Sequence, residues 1–234
     1  MYARYTYAVR MSRRRQAIPK HTARSQLTRE RIVETAVEFA DQQGLDALSM
    51  RSLAKELGFG VMSLYNHVKD KDDLLEAMVE SVASEIEIPE ACTAWKADLR
   101  SCIVSAYRMM VRHPWLPGLW SRSLGYAKNR YHNAILRLMR EASFSEELAC
   151  RGFHALTMHV VGFSLQVLEM PFATKQEFVA FGKQHLNELE EQDLSYLRDH
   201  VRFHLEGKDK RSDFKYMLDL ILDGLERDLA QVNR

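Results

Sequence analysis

The sequence predicts an all-α protein, on three observations. After residue 27, apolar residues recur at the three-to-four spacing of amphipathic helices. Alternating strand-like runs joined by hairpin turns are absent. Glycines, prolines and short polar residues fall where helices would start and stop.

The first helix is expected from Thr28, an N-cap type, to Gln43. Ile32, Val33, Ala36, Val37 and Ala40 form its apolar face, and Gly44 ends it. Ser49 caps a second helix to Leu57, and Gly58 supplies the positive φ that a chain reversal needs. A third helix spans about Val61 to Val68. Asp70, with Asp73 three residues on, opens a fourth that reaches about Glu85 with Leu74, Leu75, Met78 and Val82 inward. Pro89 marks a boundary. The chain therefore divides into a basic extension (1–26), a small helical domain (27–85) and a larger bundle (86–234). In the bundle, helices are expected at about 94–113, 126–143, 145–170, 175–191 and 212–230. Pro114 and Pro117 break the segment 113–120 and leave Trp115, Leu116, Leu119 and Trp120 as a bulky turn. The stretch "EGKDKRSD" at 206–213 reads as an exposed loop.

With 234 residues and 46% apolar content the chain can bury a proper core. No stretch approaches the roughly 18 to 20 apolar residues of a membrane span, and the first thirty residues lack a secretory apolar block. A soluble, cytoplasmic protein is expected. Cys92, Cys102 and Cys150 are widely spaced, so they signal neither a disulfide framework nor a metal site. The net charge of +1 hides an asymmetry: residues 1–26 hold seven basic residues (Arg4, Arg10, Arg13, Arg14, Arg15, Lys20, Arg24) and no acidic one, whereas residues 27–84 hold six basic and eleven acidic. Such an arm suits phosphate contacts, and equally an inert leader or a start misplaced upstream of Met11; an organelle-targeting segment fits less well, because the domain that follows looks bacterial in type.

A helix that reads DNA presents short and medium side chains to base edges while its other face anchors on a supporting helix. Residues 49–68 fit both demands. Leu53, Leu57, Val61, Leu64 and Val68 supply the anchor, and Ala54 permits close approach. Met62, Ser63, Asn66 and His67 lie opposite, able to enter a major groove. Tyr65 and His67 can donate to phosphate, and Lys69 and Lys71 sit where the next helix begins. The acidic sum of this region is offset by placement, since Glu30, Glu34, Glu38, Asp41 and Glu80 fall on the first and fourth helices.

Thr28 to about Met78, with "LSMRSLAKELGFGVMSLYNHVKDKDDLLEAM" at its heart, resembles the N-terminal domain of the TetR (tetracycline-repressor-like, TetR/AcrR) family. Ala54, Gly58, Leu64, Tyr65, His67, Lys69 and Lys71 fall in the family's register together. The resemblance implies an N-terminal three-helix helix-turn-helix DNA-binding domain followed by a helical ligand-binding and dimerisation bundle. It implies that Arg51 and the exposed third-helix residues read bases, and that Ser49, Tyr65, His67 and Lys71 hold phosphates. The expected DNA-contacting set is thus Thr28, Ser49, Arg51, Val61, Met62, Ser63, Tyr65, Asn66, His67, Lys69 and Lys71. The histidine that tetracycline-responsive members place after the stretch ending at Met78 is missing, which speaks against tetracycline as effector.

In the bundle, Tyr107, Met110, Trp115, Trp120, Tyr126, His154, Met158, His159, Phe163 and Gln166 are the candidates for an effector pocket, against the alternative that most are plain core. The final helix shows Phe214, Met217, Leu218, Ile221, Leu222, Leu225 and Leu229, too wide an apolar face for one intrachain contact. With Leu156, Val160 and Leu168 from the 145–170 helix it would form an intersubunit four-helix bundle, the alternative being that the face packs within one subunit. His200 and His204 have a metal-capable spacing but no third ligand, so no metal or cofactor is expected. No nucleophile elbow, phosphate loop or zinc-protease motif argues for an enzyme. The reading is a ligand-responsive repressor that binds a palindromic operator as a homodimer and is released by a small apolar effector. An activator or a ligand-independent regulator of the same fold is the alternative.

Overall fold

The structure, a computed structural model, describes residues 26–170, 172, 174–206 and 212–232; the basic extension with its seven cations lies outside them, as does most of the 206–213 loop. The described residues contain eleven α-helices and no strand: α1 Arg29–Gln43, α2 Met50–Leu57, α3 Val61–Tyr65, α4 Lys71–Ala83, α5 Trp95–Arg112, α6 Leu116–Trp120, α7 Tyr126–Glu141, α8 Glu146–Leu168, α9 Lys175–Glu191, α10 Ser195–Glu206 and α11 Asp213–Val232.

Local chemistry sets the helix ends. Thr28 Oγ1 accepts from Arg31 N–H at the head of α1. Ser49 and Ser52 form a reciprocal box at α2, each hydroxyl accepting from the other's backbone N–H. Gly58 ends α2 at φ 74°, and its N–H returns to the carbonyls of Ala54 and Lys55. Asp70 caps α4 through Asp73 N–H.

Three differences from the expected elements have local causes. The third helix stops at Tyr65 because His67 and Val68 N–H both bond to the Leu64 carbonyl in a tighter turn. Pro117 sits within the first turn of α6, where a missing N–H costs nothing, so a helix forms in place of a bare turn. The separate helix α10 follows a left-handed Asp193 (φ 55°), a stop with no glycine to announce it.

One contiguous core runs from Leu27 to Leu225. Ile32, Val33, Ala36 and Ala40 of α1 meet α2 and α4, and α8 packs against α5, α7 and α11. Gly152 lets α8 approach Met139 of α7 and Leu225 of α11 closer than any side chain would allow.

Candidate nucleic-acid interface and regulatory core

On α2 and α3, Leu53, Leu57 and Leu64 are buried, and Val68 just beyond is buried with them. The opposite side is bare. Met62 is 76% exposed, and Arg51, Tyr65, Asn66, Lys69 and Lys71 are exposed. Ser63 and His67 are half-buried at its edge, and Val61 is half-buried against the core, which makes it anchor more than reader. Thr28 and Ser49 reach solvent while their hydroxyls cap helices. A thioether, a phenol and two ammonium groups are thus left in solvent on and just after α3.

This short helix has a brace that the sequence reading missed. Arg29 grips Asp73 with both guanidinium nitrogens (2.7 and 2.9 Å) and donates to the His67 carbonyl at 2.9 Å. Asp73 also accepts from Lys69 N–H at 2.9 Å. The hydrogen bonds from Arg29 and from Lys69 N–H hold the Asp73 carboxyl down to about 2. The exit of α3 is thereby tied to the heads of α1 and α4.

Carboxylates of the first four helices also hold the rest of the chain. Asp41 lies 2.9 Å from His113 Nδ1 and accepts the Trp115 indole N–H at 2.8 Å. Glu76 accepts from the Ser123 hydroxyl (2.8 Å) and Leu124 N–H (3.1 Å), and Glu80 from Ala127 N–H (2.9 Å). The head of α7 has no side-chain cap of its own, so Glu80 supplies one from α4. Part of the acidic excess in residues 27–84 is structural.

The pocket candidates separate by helix phase. Tyr107, Met110 and Phe163 are buried, and His159 is half-buried. Tyr107 stacks on Phe214 at 3.8 Å, and His159 lies over the same ring, its Nε2 3.0 Å from the Phe214 carbonyl. Burial pushes the His159 pKa down. Trp120 is buried against Tyr131 and His132, and Trp115 is bonded to Asp41. The other four face outward. His154, Met158 and Gln166 lie on the outer side of α8, and Tyr126, 76% exposed, rims a cleft of about 520 Å³ between α1, α4 and the head of α7. None of these four lines the bundle interior.

The dimer candidates need the opposite correction. Leu156, Val160, Phe214, Leu218, Leu222 and Leu225 are buried inside the single chain, so they cannot touch a second copy. Met217 is exposed, and Leu168 and Ile221 are half-buried. The large exposed hydrophobic residues of α8 and α11 are Met158, Leu165, Tyr216, Met217 and Leu220, the last 54% exposed. The side of each helix that its own chain leaves open is therefore one step round from the residues expected to pair.

His200 and His204 meet edge to face at 4.5 Å on α10. Among the described residues no three His, Cys, Asp or Glu side chains are grouped to hold a metal, and no helix is long and apolar enough to cross a membrane.

Two family profiles match the chain: "Bacterial regulatory proteins, tetR family" over residues 32–78 and "Tetracyclin repressor-like, C-terminal domain" over residues 88–229. The transcriptional repressor DrrR1 of Streptomyces coeruleorubidus is 41% identical over 100 residues, which cover 42% of this chain and 37% of DrrR1. The chain thus spans well under half the length of that curated relative. The apo structure of ActR from Streptomyces coelicolor superposes with a TM-score of 0.72 at 29% identity, covering 90% of this chain and all of ActR. ActR in complex with actinorhodin gives a TM-score of 0.71 at 30% identity, over 86% of this chain and 96% of ActR.

Proposed function

The chain belongs to the tetracycline-repressor family of bacterial regulatory proteins, and from that membership we propose that it is a transcriptional repressor. As a homodimer it binds a two-fold symmetric operator, and it leaves when a small, largely apolar effector enters the α5–α11 bundle. Residues 27–85 are the reading head and residues 86–234 the dimerisation and effector-binding unit; its work is binding, in the cytoplasm, rather than catalysis.

The observation that carries this reading is the two-sidedness of α2 and α3. Leu64 is fully buried, yet its neighbours Met62, Tyr65 and Asn66 lie open. In that geometry Met62, Ser63 and Asn66, with Arg51 from α2, reach base edges, and Tyr65, Lys69 and Lys71 reach phosphates. Two-fold pairing comes from Met158, Leu165, Met217 and Leu220, since two reading heads must reach successive turns of the groove. The DrrR1 relative is named a repressor and ActR has been solved in complex with actinorhodin, which supports the sign and a ligand-bound state.

The effector has to bind the DNA-free conformation more tightly than the DNA-bound one, or it shifts nothing. Mobility shifts of DNA from upstream of the chain's own gene test the reading. Binding should be sequence-selective and fall with salt, and Tyr65→Ala should weaken it on every sequence alike. Salt-insensitive binding, or none, removes the proposal.

A further inference from the structure

Tyr131 is 1% exposed, and its phenol oxygen has no hydrogen-bond partner among the described residues; nor has the buried Nε2 of His132 beside it. A buried polar atom left unmatched costs roughly 1 to 3 kcal/mol, so two on neighbouring residues call for a partner that the described chain does not supply. The surroundings are aromatic. The His132 ring meets Trp120 edge-on at 6.0 Å and Phe153 edge-on at 5.2 Å, and Trp120 also meets Tyr131 at 6.1 Å.

Charge in this nest is already accounted for. The Lys128 ammonium is buried and donates to the Trp120 and Ser123 carbonyls at 2.7 and 2.6 Å. Burial, with Lys128 nearby, brings the His132 pKa down to about 4, and burial raises that of Tyr131 well above a free phenol. Both unmatched groups are therefore neutral at physiological pH.

We propose that Tyr131 Oη and His132 Nε2 are the polar contacts for the effector, and that the effector is an uncharged aromatic molecule carrying hydroxyl or carbonyl oxygens. This rests on the effector-responsive reading above. A hydroxyl or carbonyl oxygen accepts from the Tyr131 O–H, a ligand hydroxyl can donate to an unprotonated Nε2, and the flat body enters by parting the rings of Trp120, His132 and Phe153, which meet edge-on without it. A path outward is present. Trp120 touches both contact residues; its carbonyl and that of Ser123 share Lys128; and Ser123 Oγ and Leu124 N–H end on Glu76 of α4. A ligand that moves the Trp120 ring moves the segment that α4 holds.

The test uses the full chain without DNA, titrated with 2-naphthol, naphthalene and 2-naphthoate by calorimetry and tryptophan quenching. 2-Naphthol should bind about tenfold more tightly than either of the others, the margin of a satisfied buried hydrogen bond. Tyr131→Phe and His132→Phe keep a ring and drop the polar atom. Each should remove most of that margin, and the melting point should stay at or above wild type. Equal affinity for naphthol and naphthalene, a margin that survives both substitutions, or no saturable binding overturns the proposal. Tighter 2-naphthoate overturns the uncharged class. A Tyr131→Phe that melts earlier with unchanged affinities makes the phenol a structural group and overturns its role as a contact. A mobility shift is run separately: if the chain fails to bind DNA while the naphthol margin holds, the regulator reading fails and the ligand site stands.

Discussion

The reading head and the bundle handle their polar groups in opposite ways. In α1 to α4 the polar side chains either face water or are bonded at short range, as in the Ser49–Ser52 box and the Arg29–Asp73 grip. In the bundle a phenol, an imidazole nitrogen and an ammonium group are buried, and the first two have no partner among the described residues. A head with every bond made holds one shape. A bundle with bonds left open has a second arrangement within reach.

The largest expected effect breaks the contrast at the face that couples two heads. Leu220→Asp places a charge on the uncovered face of α11 and should leave a folded monomer by light scattering, with operator affinity down more than about 100-fold. Next comes the brace. Arg29→Met should lower affinity about tenfold through the loosened α3, with the salt slope unchanged, because no phosphate contact is lost. By contrast Arg51→Ala should relax preference at one base position by roughly 1 to 3 kcal/mol, read by binding to single-base operator variants.

A smaller effect sharpens the comparison on the bundle side. His132 has a folded pKa below its unfolded value near 6.5, so between about pH 6.5 and 4 the unfolded chain binds more protons and stability is lost as the pH is lowered. His132→Phe should flatten that fall by roughly 1 to 3 kcal/mol in urea unfolding, whereas an unchanged profile would deny the burial. The smallest is local: Ser49→Ala should cost about 1 kcal/mol of stability by removing the α2 cap.

Legibility followed the range of the interactions. The exposed side of α3 could be read from Leu53, Leu57, Leu64 and Val68, because an anchoring stripe defines its own reverse. The brace could not, since Arg29 finds Asp73 and the His67 carbonyl 44 and 38 residues away. On α8 both sides are apolar, with Leu156 and Val160 in and Met158 and Leu165 out, so periodicity names the helix without saying which side its own chain covers. For the same reason four of the ten pocket candidates face outward, and Tyr131 and His132, adjacent on α7 and matching no motif, gave no signal at all.

The carboxylates of Glu76 and Glu80 also bear on modularity. Glu80 finishes the first turn of a helix that belongs to the other half of the molecule, and Glu76 holds the residues that lead into it. A chimaera that grafts a foreign reading head onto this sensor would sever that loan unless acidic residues stand at both matching positions of the donor. Seam compatibility in such swaps therefore depends on these two side chains of α4 together with Asp41 of α1, and a library of hybrids should sort by whether they are present.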